Sequence, residues 1–271
     1  MQTASEAFHL SPAAAEMYEA RFVPALFAEW APRLIELAGV VPGQAVLDVA
    51  CGTGIVARTV AAAQGGRGRV VGLDLNEAML GVARRVGPET EWRQGDAAHL
   101  PFPDGSFDVA LCQMAMMFFP DRTQALREMA RVVGPSGTVA FVVPGRLESQ
   151  PAYAPFVDVA ARHAGPDAVA LLSAYFVCGD LDDLRRLVAS AGLEVVASRT
   201  YLGTVRVGSI DEFVAAEVES TPLRERISDE VYARIREGAR EVLRSFTTPA
   251  GEAAIPLEGH VVAGRPAPRR A

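Results

Sequence analysis

A regular alternation of short apolar segments with helical segments, between residues 45 and 143, constrains the fold of this chain most strongly. The sequence predicts strands at Ala45–Val49, Arg69–Leu73, Thr90–Gln94, Phe107–Cys112 and Thr138–Val143. It predicts helices at Ile55–Ala63, after the N-cap residue Asn76, and at Thr123–Val133. Strands that alternate with helices in this way build a parallel sheet with helices on both faces. An α/β fold is therefore expected.

The segments on either side of this region have other patterns. Residues 10–38 carry apolar side chains at helical spacing, and Pro12, Pro24 and Pro32 predict a break into two or three short helices. Residues 145–178 contain three further prolines and no clear strand, which predicts an irregular or helical insertion. Beyond it we expect a helix at Asp180–Ala191, a strand at Glu194–Arg199, mostly helix over Ile210–Phe246 and a last strand at Ile255–Ala263.

Composition excludes several kinds of chemistry. All 26 basic residues are arginine, against 33 acidic residues, so the formal net charge is −7. A chain without lysine has no lysine Schiff base, no lysine general base and no Walker-A lysine. The acidic balance argues against a nucleic-acid-binding face. The three widely spaced cysteines, Cys51, Cys112 and Cys178, form no sequence-local zinc site, so no metal is expected.

Three features bear on location. The sparse cysteines are typical of a protein from a reducing compartment. No apolar run reaches the ~18–20 residues that a membrane span needs. The first ten residues lack the basic and apolar regions of a secretory signal. We therefore expect a cytoplasmic protein without a membrane span.

The residues that can carry chemistry follow the ends of the first three strands. In the run VLDVACGTG a strand leads into Gly52 and Gly54, and a helix begins at once. Such glycines let the backbone approach a ligand closely, and the helix N-terminus offers free N–H groups. Asp74 follows the second strand, where an acid can accept both hydroxyls of an adenosine ribose. Asp96 follows the third strand and can accept from an adenine amino group, while Ala97 donates its backbone N–H.

Two adenosine cofactors fit the first two strand ends. The glycines Gly52 and Gly54, with Ala57 and Asp74, also satisfy the dinucleotide fingerprint of an NAD enzyme. NAD would bring a pyrophosphate anion close to Asp48, whereas S-adenosylmethionine brings an ammonium and a sulfonium. An opposite-sign pair near a protein surface has a Coulomb energy of up to ~4 kcal/mol at ~4 Å before desolvation. The charge of the site therefore favours the cationic ligand.

Four segments, Val46–Gly54, Val70–Asn76, Gly95–Val109 and Ala125–Val143, together resemble the class I S-adenosylmethionine-dependent methyltransferase family. They resemble most its small-molecule branch, which includes the ubiquinone and menaquinone biosynthesis methyltransferases. The runs LPFPDGSFDV and REMARVVGPSGT are specific to that branch. The resemblance implies a Rossmann-like seven-stranded sheet, with six parallel strands, an antiparallel last strand and helices on both faces.

The resemblance also implies a division of the chain into five parts. These are an N-terminal helical cap (1–40), the cofactor-binding half of the methyltransferase domain (41–144), a substrate-cap insertion (145–178), the remainder of the domain (179–264) and a disordered tail (265–271). The cap and the insertion would cover the pocket for the methyl acceptor.

The resemblance assigns S-adenosyl-L-methionine as cofactor, with S-adenosyl-L-homocysteine as product, to a set of residues taken over one by one. They are Tyr18, Asp48, Ala50, Cys51, Gly52, Thr53, Gly54, Asp74, Leu75, Met79, Asp96, Ala97, Gln113 and Met114. The first motif would hold the methionine part, Leu75 and Met79 would pack near the adenine, and Gln113 and Met114 would lie beside the sulfonium. Tyr18 resembles an aromatic residue that closes over the cofactor in some members. Ala50 stands where the usual pattern has its first glycine.

The implied activity is methyl transfer by in-line displacement to an O, N or C atom of a small molecule, a biosynthetic or secondary metabolite. A base is needed only if the acceptor must lose a proton, and the candidates are His163 and His99, followed by His9 and Glu148. The apolar run Met114–Phe119 fits core packing with a cofactor wall, or an apolar acceptor pocket. The alternatives are a non-methylating member of the same fold, such as a cyclase or binding module, and an NAD-dependent oxidoreductase. The sequence does not specify the acceptor, the methylated atom or the oligomeric state.

Overall fold

A computed structural model of the chain describes residues 11–219 and 221–267, which cluster into two compact units. The first unit comprises the described residues of Met1–Val143, Leu181–Thr200 and His260–Ala271. The second unit comprises the described residues of Pro144–Asp180 and Tyr201–Gly259. No helix in the described part of the chain is long and apolar enough to cross a membrane.

Seven strands form one sheet. They are β1 (Val46–Val49), β2 (Val70–Asp74), β3 (Glu91–Gln94), β4 (Val109–Gln113), β5 (Thr138–Pro144), β6 (Leu193–Val207) and β7 (Ala253–Pro266). Their order across the sheet is β3-β2-β1-β4-β5-β7-β6, and the four pairings that join β1 to β5 are all parallel. The expected Rossmann-like seven-stranded sheet is confirmed.

Most helices of the first unit follow the predicted order. They are α1 (Pro12–Met17), α2 (Ala28–Ala38), α3 (Ile55–Gln64), α4 (Glu77–Val86), α5 (Arg122–Val133) and α8 (Leu181–Ser190). Asn76 caps α4 as predicted, because its side-chain oxygen accepts hydrogen bonds from the backbone N–H groups of Ala78 and Met79.

The predicted break of the N-terminal helices at their prolines is wrong. A π-helix, Tyr18–Phe27, joins α1 to α2 without a gap, and Pro24 lies inside it. Proline lacks a backbone N–H, and its ring crowds the preceding turn of an α-helix. The wider turns of a π-helix relieve that crowding, so the chain continues as a helix. Pro32 lies inside α2 and does not end it.

The helices of the second unit include those of the insertion. They are α6 (Tyr153–Ala164), α7 (Pro166–Leu172), α9 (Ile210–Glu219), α10 (Leu223–Arg226) and α11 (Asp229–Val242). The insertion is thus mainly helical. The rings of Tyr153, Phe156, Phe176 and Phe213 are buried and meet edge to face at 5.1–5.3 Å between centroids, which is favourable aromatic geometry.

The C-terminal strand is longer than predicted. β7 continues to Pro266, and the N–H of Ala267 donates to the carbonyl of Gly192 at 2.9 Å. The predicted disordered tail is therefore wrong for residues 265–267. Residues 268–271, and His9 with the other first ten residues, lie outside the described residues.

The run LPFPDGSFDV is organised by one side chain of α5. The guanidinium of Arg131 donates to the carbonyls of Leu100 (2.9 Å) and Phe102 (2.8 Å). It also pairs with the carboxylates of Asp104 (2.8 Å) and Glu128 (2.7 Å). Glu128 in turn accepts from the N–H of Leu100 at 2.8 Å, and its hydrogen bond with Arg131 holds its pKa below the usual value. The hydrogen bonds and ion pairs of Arg131 therefore stabilise the conformation of the loop that this run forms.

We expect Arg131→Met to lower the free energy of unfolding by about 2–3 kcal/mol, since it removes several charge-assisted hydrogen bonds while keeping the aliphatic stem. Chemical denaturation measures this loss. The matched control is Arg84→Met on α4, because the Arg84–Glu77 pair (2.6 Å) is 45% and 55% exposed. Exposed pairs contribute only about 0–1 kcal/mol. Equal losses in both variants would show that Arg131 does not organise the loop.

Candidate functional site

The loop after β1 turns tightly at three residues with left-handed backbone. Asp48 is buried on β1, and after Val49 the backbone φ angles are +55° at Ala50, +57° at Gly52 and +88° at Gly54. Glycine adopts such angles freely, whereas a residue with a Cβ pays about 1–2 kcal/mol. Ala50, the departure from the family pattern, therefore keeps the glycine-like turn and stores strain in it.

Asp74 ties this loop to the end of β2. One carboxylate oxygen accepts the N–H of Gly52 at 2.8 Å, and the other accepts the N–H of Asn76 at 2.8 Å. The N–H of Cys51 also donates to the carbonyl of Leu73 at 3.0 Å. A carboxylate has about four lone-pair sites, so Asp74 retains acceptor capacity for a ligand.

Asp48 lies beside the start of α3. Its carboxylate accepts the N–H of Ala57 at 3.0 Å. Burial raises the pKa of Asp48 to about 8, with a further rise from the nearby charge of Asp74 and an opposing effect of the Ala57 hydrogen bond. Burial also raises the pKa of Asp74, against the hydrogen bonds from Asn76 and Gly52. Two buried carboxylates thus share a site that favours positive charge.

Burial, with the charges of Asp48 and Asp74, raises the pKa of the Cys51 thiol well above its usual value. A thiol in this state is inert as a nucleophile at neutral pH. Cys51 therefore stabilises the loop through its backbone hydrogen bonds and the packing of its buried side chain.

Two buried polar atoms near the strand ends have no hydrogen-bond partner among residues 11–219 and 221–267. Gln113, the last residue of β4, donates from Nε2 to the carbonyl of Phe27 at 3.0 Å, which leaves its buried Oε1 unpaired. The hydroxyl of Thr53 in the glycine loop is also buried and unpaired. Such atoms are rare in folded proteins, because an unmade buried hydrogen bond costs about 1–3 kcal/mol. Both are polar groups that a ligand can satisfy.

The π-helix lies against the glycine loop. The hydroxyl oxygen of Tyr18 is 3.6 Å from the position that a Cβ on Gly52 would take. The Tyr18 ring stacks on Phe27 with centroids 5.0 Å apart, and it packs on the core cluster that contains Met79. The structure thus brings Tyr18, Gly52 and Met79 together.

An ion pair that the sequence did not reveal holds the π-helix to the loop. Arg58 of α3 pairs with Glu19 at 2.8 Å and donates from Nε to the carbonyl of Gly54 at 3.3 Å. The partners are separated by 39 positions. No local motif marks such a pair.

The residues after β2 and β3 are more exposed. Leu75 is 52% exposed, an unusual position for a large apolar side chain, whereas Ala97 is buried. Asp96 accepts the N–H of Ala98 at 2.9 Å and faces the ring of His99 at 3.5 Å. The His99 side chain is 80% exposed.

Met114, the residue after β4, is buried and has a φ of +49°. Its backbone N–H donates to the carbonyl of Val142 at 2.8 Å.

The second unit has its own titratable pair, which the sequence analysis did not identify. The hydroxyl of Tyr153 donates to the carboxyl of Glu217 at 3.3 Å. Burial raises the pKa of Glu217 to about 7 and that of Tyr153 well above its usual value. A carboxyl group with a pKa near 7 can take up and release protons at neutral pH. The predicted candidates of this unit, His163 and Glu148, are exposed.

The pKa of Asp48 predicts a specific pH dependence of stability. Between the ordinary value of 3.8 and about 8, the folded chain holds a proton that the unfolded chain has released. The contribution of Asp48 to the unfolding free energy therefore falls as pH rises through this window, by on the order of a few kcal/mol. We expect Asp48→Asn, which keeps an acceptor for Ala57, to lose this decline in denaturation experiments across the window.

The control for this experiment is Asp182→Asn, because Asp182 is 72% exposed on α8 and makes only a surface pair with Arg185. It should retain the wild-type pH dependence. If Asp48→Asn also retained it, the raised pKa of Asp48 would be refuted.

Comparison with known proteins agrees with this geometry. A family model described as a methyltransferase domain matches residues 47–141. The ubiquinone/menaquinone biosynthesis C-methyltransferase UbiE of Ectopseudomonas mendocina is 31% identical over 217 residues, which cover 74% of this chain and 85% of that protein. A demethylmenaquinone methyltransferase of Lactobacillus johnsonii is 35% identical over 119 residues, which cover 42% of this chain and 49% of that protein.

Solved structures share the fold at lower sequence identity. The YcgJ protein of Bacillus subtilis has a TM-score of 0.58 at 21% identity, over 89% of this chain and 99% of that one. The cyclase SpnF has a TM-score of 0.55 at 18% identity, over 89% of this chain and 81% of that one. The long alignment with UbiE decides the family. The chain belongs to the class I S-adenosylmethionine-dependent methyltransferases, and its cofactor is S-adenosyl-L-methionine and not NAD.

Proposed function

We propose that this enzyme methylates a small aromatic acceptor of the quinone-precursor kind, at a ring carbon. The observation that carries the proposal is the 31% identity with a ubiquinone/menaquinone biosynthesis C-methyltransferase, along 85% of that protein. The name of that relative, a C-methyltransferase of ubiquinone and menaquinone biosynthesis, suggests the acceptor class and the carbon target.

The unpaired buried atoms support a site for the methionine part of the cofactor. Because the amide N–H₂ of Gln113 is engaged by Phe27, its Oε1 remains as an acceptor that suits an ammonium group. The hydroxyl of Thr53 can donate to a carboxylate. A bound cation favours the ionised form of Asp48, whose pKa burial otherwise raises to about 8, so ionisation of Asp48 and binding of the cationic groups support each other. These residues fit the cofactor.

The strand ends support a site for the adenosine. Asp74 would accept the two ribose hydroxyls with the lone pairs that Gly52 and Asn76 leave open. The exposed Leu75 and the buried Met79 would flank the adenine, and Asp96 with Ala97 would bind its edge. Bound cofactor would cover the apolar surface that Leu75 exposes.

The main catalytic task of the chain is to position the acceptor relative to the methyl group of the cofactor. Bound S-adenosylmethionine supplies a methyl group activated by its sulfonium. Holding an acceptor in line and at attack distance can contribute roughly 7–11 kcal/mol. The aromatic rings of Tyr18 and Phe27 beside the glycine loop help to exclude water, and a dry site favours a reaction in which positive charge is lost.

Turnover with defined acceptors tests the proposal. The purified chain is incubated without oxygen with S-adenosylmethionine and a prenylated naphthoquinol that lacks the ring methyl group. We expect release of S-adenosylhomocysteine in equal amount to a ring-methylated product, identified by mass spectrometry. Methylation of phenol hydroxyls or amines instead would overturn the carbon target. Cofactor binding without turnover of any acceptor in a metabolite panel would indicate a non-methylating member.

The assignment of Asp74 has its own test. We expect Asp74→Asn to weaken binding of S-adenosylhomocysteine about 10- to 100-fold, because an amide accepts fewer hydrogen bonds and carries no charge. Isothermal titration calorimetry gives the dissociation constant, and circular dichroism checks that the variant is folded. The exposed Asp104→Asn serves as the control and should bind normally. A folded Asp74→Asn variant with wild-type affinity would remove Asp74 from the site.

A further inference from the structure

Trp92 occupies the space that side chains would need at glycines of two other elements. A Cβ added to Gly54 would lie 2.1 Å from Cη2 of Trp92, and one added to Gly72 would lie 2.3 Å from Cζ3. Real Cβ atoms essentially never come within 3.0 Å of a heavy atom outside their own residue and its two chain neighbours. The indole therefore fills the gaps left by Gly54 of the cofactor loop and Gly72 of β2.

The strand register explains how one ring reaches both glycines. Asp48 of β1 is the register partner of Gly72 on β2, and Gly72 is the register partner of Trp92 on β3. Side chains of register partners in neighbouring strands share one face of a sheet. Gly72 thus leaves an open position between Asp48 and the edge strand, and the indole enters it from the edge.

The indole is also held at its far end. Its Nε1–H donates to the carbonyl of Gly87, the C-cap residue of α4, at 2.8 Å. A Cβ on Gly87 would lie 3.0 Å from the same ring. One hydrogen bond and close packing on both sides fix the position of the ring.

The contact with Gly54 matters because this residue joins the cofactor loop to α3. It has a φ of +88° and is the N-cap of α3, whose first turn contains the N–H that Asp48 accepts. Its own N–H closes the loop on the carbonyl of Cys51 at 2.8 Å. A shift of Gly54 would therefore move the backbone that follows Asp48.

We propose that Trp92 is a positioning residue for cofactor binding: its indole, packed on Gly54 and Gly72, sets the conformation of the glycine loop. It acts through the loop and not by touching the cofactor. Gly72 has an ordinary φ, so its glycine identity is explained by Trp92 rather than by the backbone. Misplacement of binding groups by about 1 Å is enough to impair a site of this kind.

A double-mutant cycle on ligand affinity tests the proposal. Binding of S-adenosylhomocysteine is measured by calorimetry for Trp92→Leu, Gly72→Ala and the double variant. We expect each single variant to weaken binding about tenfold or more, and Gly72→Ala to add little once the indole is gone. Trp92→Phe should recover part of the affinity. A purely structural Trp92 would lower the unfolding midpoint while folded protein kept wild-type affinity, and that result would overturn the proposal.

Tryptophan fluorescence reports on the surroundings of the indole in the folded protein, so this measurement does not depend on differences in the free energy of unfolding between variants. The chain has two tryptophans, so Trp30→Phe leaves Trp92 as the single emitter. Because bound ligand restrains the loop on which the indole packs, acrylamide quenching of the Trp92 emission should fall saturably with S-adenosylhomocysteine, with the dissociation constant found by calorimetry. Trp92→Phe, which retains Trp30, should show no such change. If Trp92→Leu does not fold, this experiment decides alone: quenching of Trp92 that stays unchanged at saturating ligand would show that the indole is not coupled to the loop.

Discussion

The hydrogen bond from the N–H of Gly52 to the carboxylate of Asp74 is the interaction on which the proposed cofactor site depends. At 2.8 Å it joins the loop after β1 to the end of β2. Parallel neighbours end at the same edge of a sheet, so Asp48 of β1 and Asp74 at the end of β2 lie in one site. Burial raises the pKa of both carboxyl groups, and the charge of Asp74 raises the pKa of Asp48 further. A cationic ligand relieves that electrostatic cost, whereas a pyrophosphate would add to it.

The strands and the tight loop after β1 could be predicted because their signals are local. β1, β2, β4 and β5 are short apolar segments, the polar β3 follows from the alternation of strands and helices, and the observed ends lie within a few residues of those predicted. The cap at Asn76 depends on its own side chain and the next turn. Local sequence signals do not predict a helix whose geometry is unusual. Pro24 lies inside a π-helix and Pro32 lies inside α2, and neither proline interrupts the continuous helical segment.

Contacts between distant parts of the chain could not be predicted. Nothing in the spacing of Glu19 and Arg58 indicates an ion pair, and nothing near Trp92 indicates that its ring reaches Gly54. The resemblance to a family identified Tyr18 and Gln113, but the structure supplies their contacts: Tyr18 lies against Gly52, and Gln113 holds the carbonyl of Phe27. The run LPFPDGSFDV marked the family, and Arg131 explains what the run does physically.

The central claim is that this chain holds a preformed site for S-adenosylmethionine at the ends of β1, β2 and β4. A crystal structure with S-adenosylhomocysteine tests it most directly. The account predicts ribose hydroxyls on Asp74, the ligand ammonium at Oε1 of Gln113, and a glycine loop that keeps its backbone conformation from Ala50 to Gly54. Adenosine bound away from Asp74, or a loop that rebuilds around the ligand and releases the Gly52–Asp74 hydrogen bond, would contradict it.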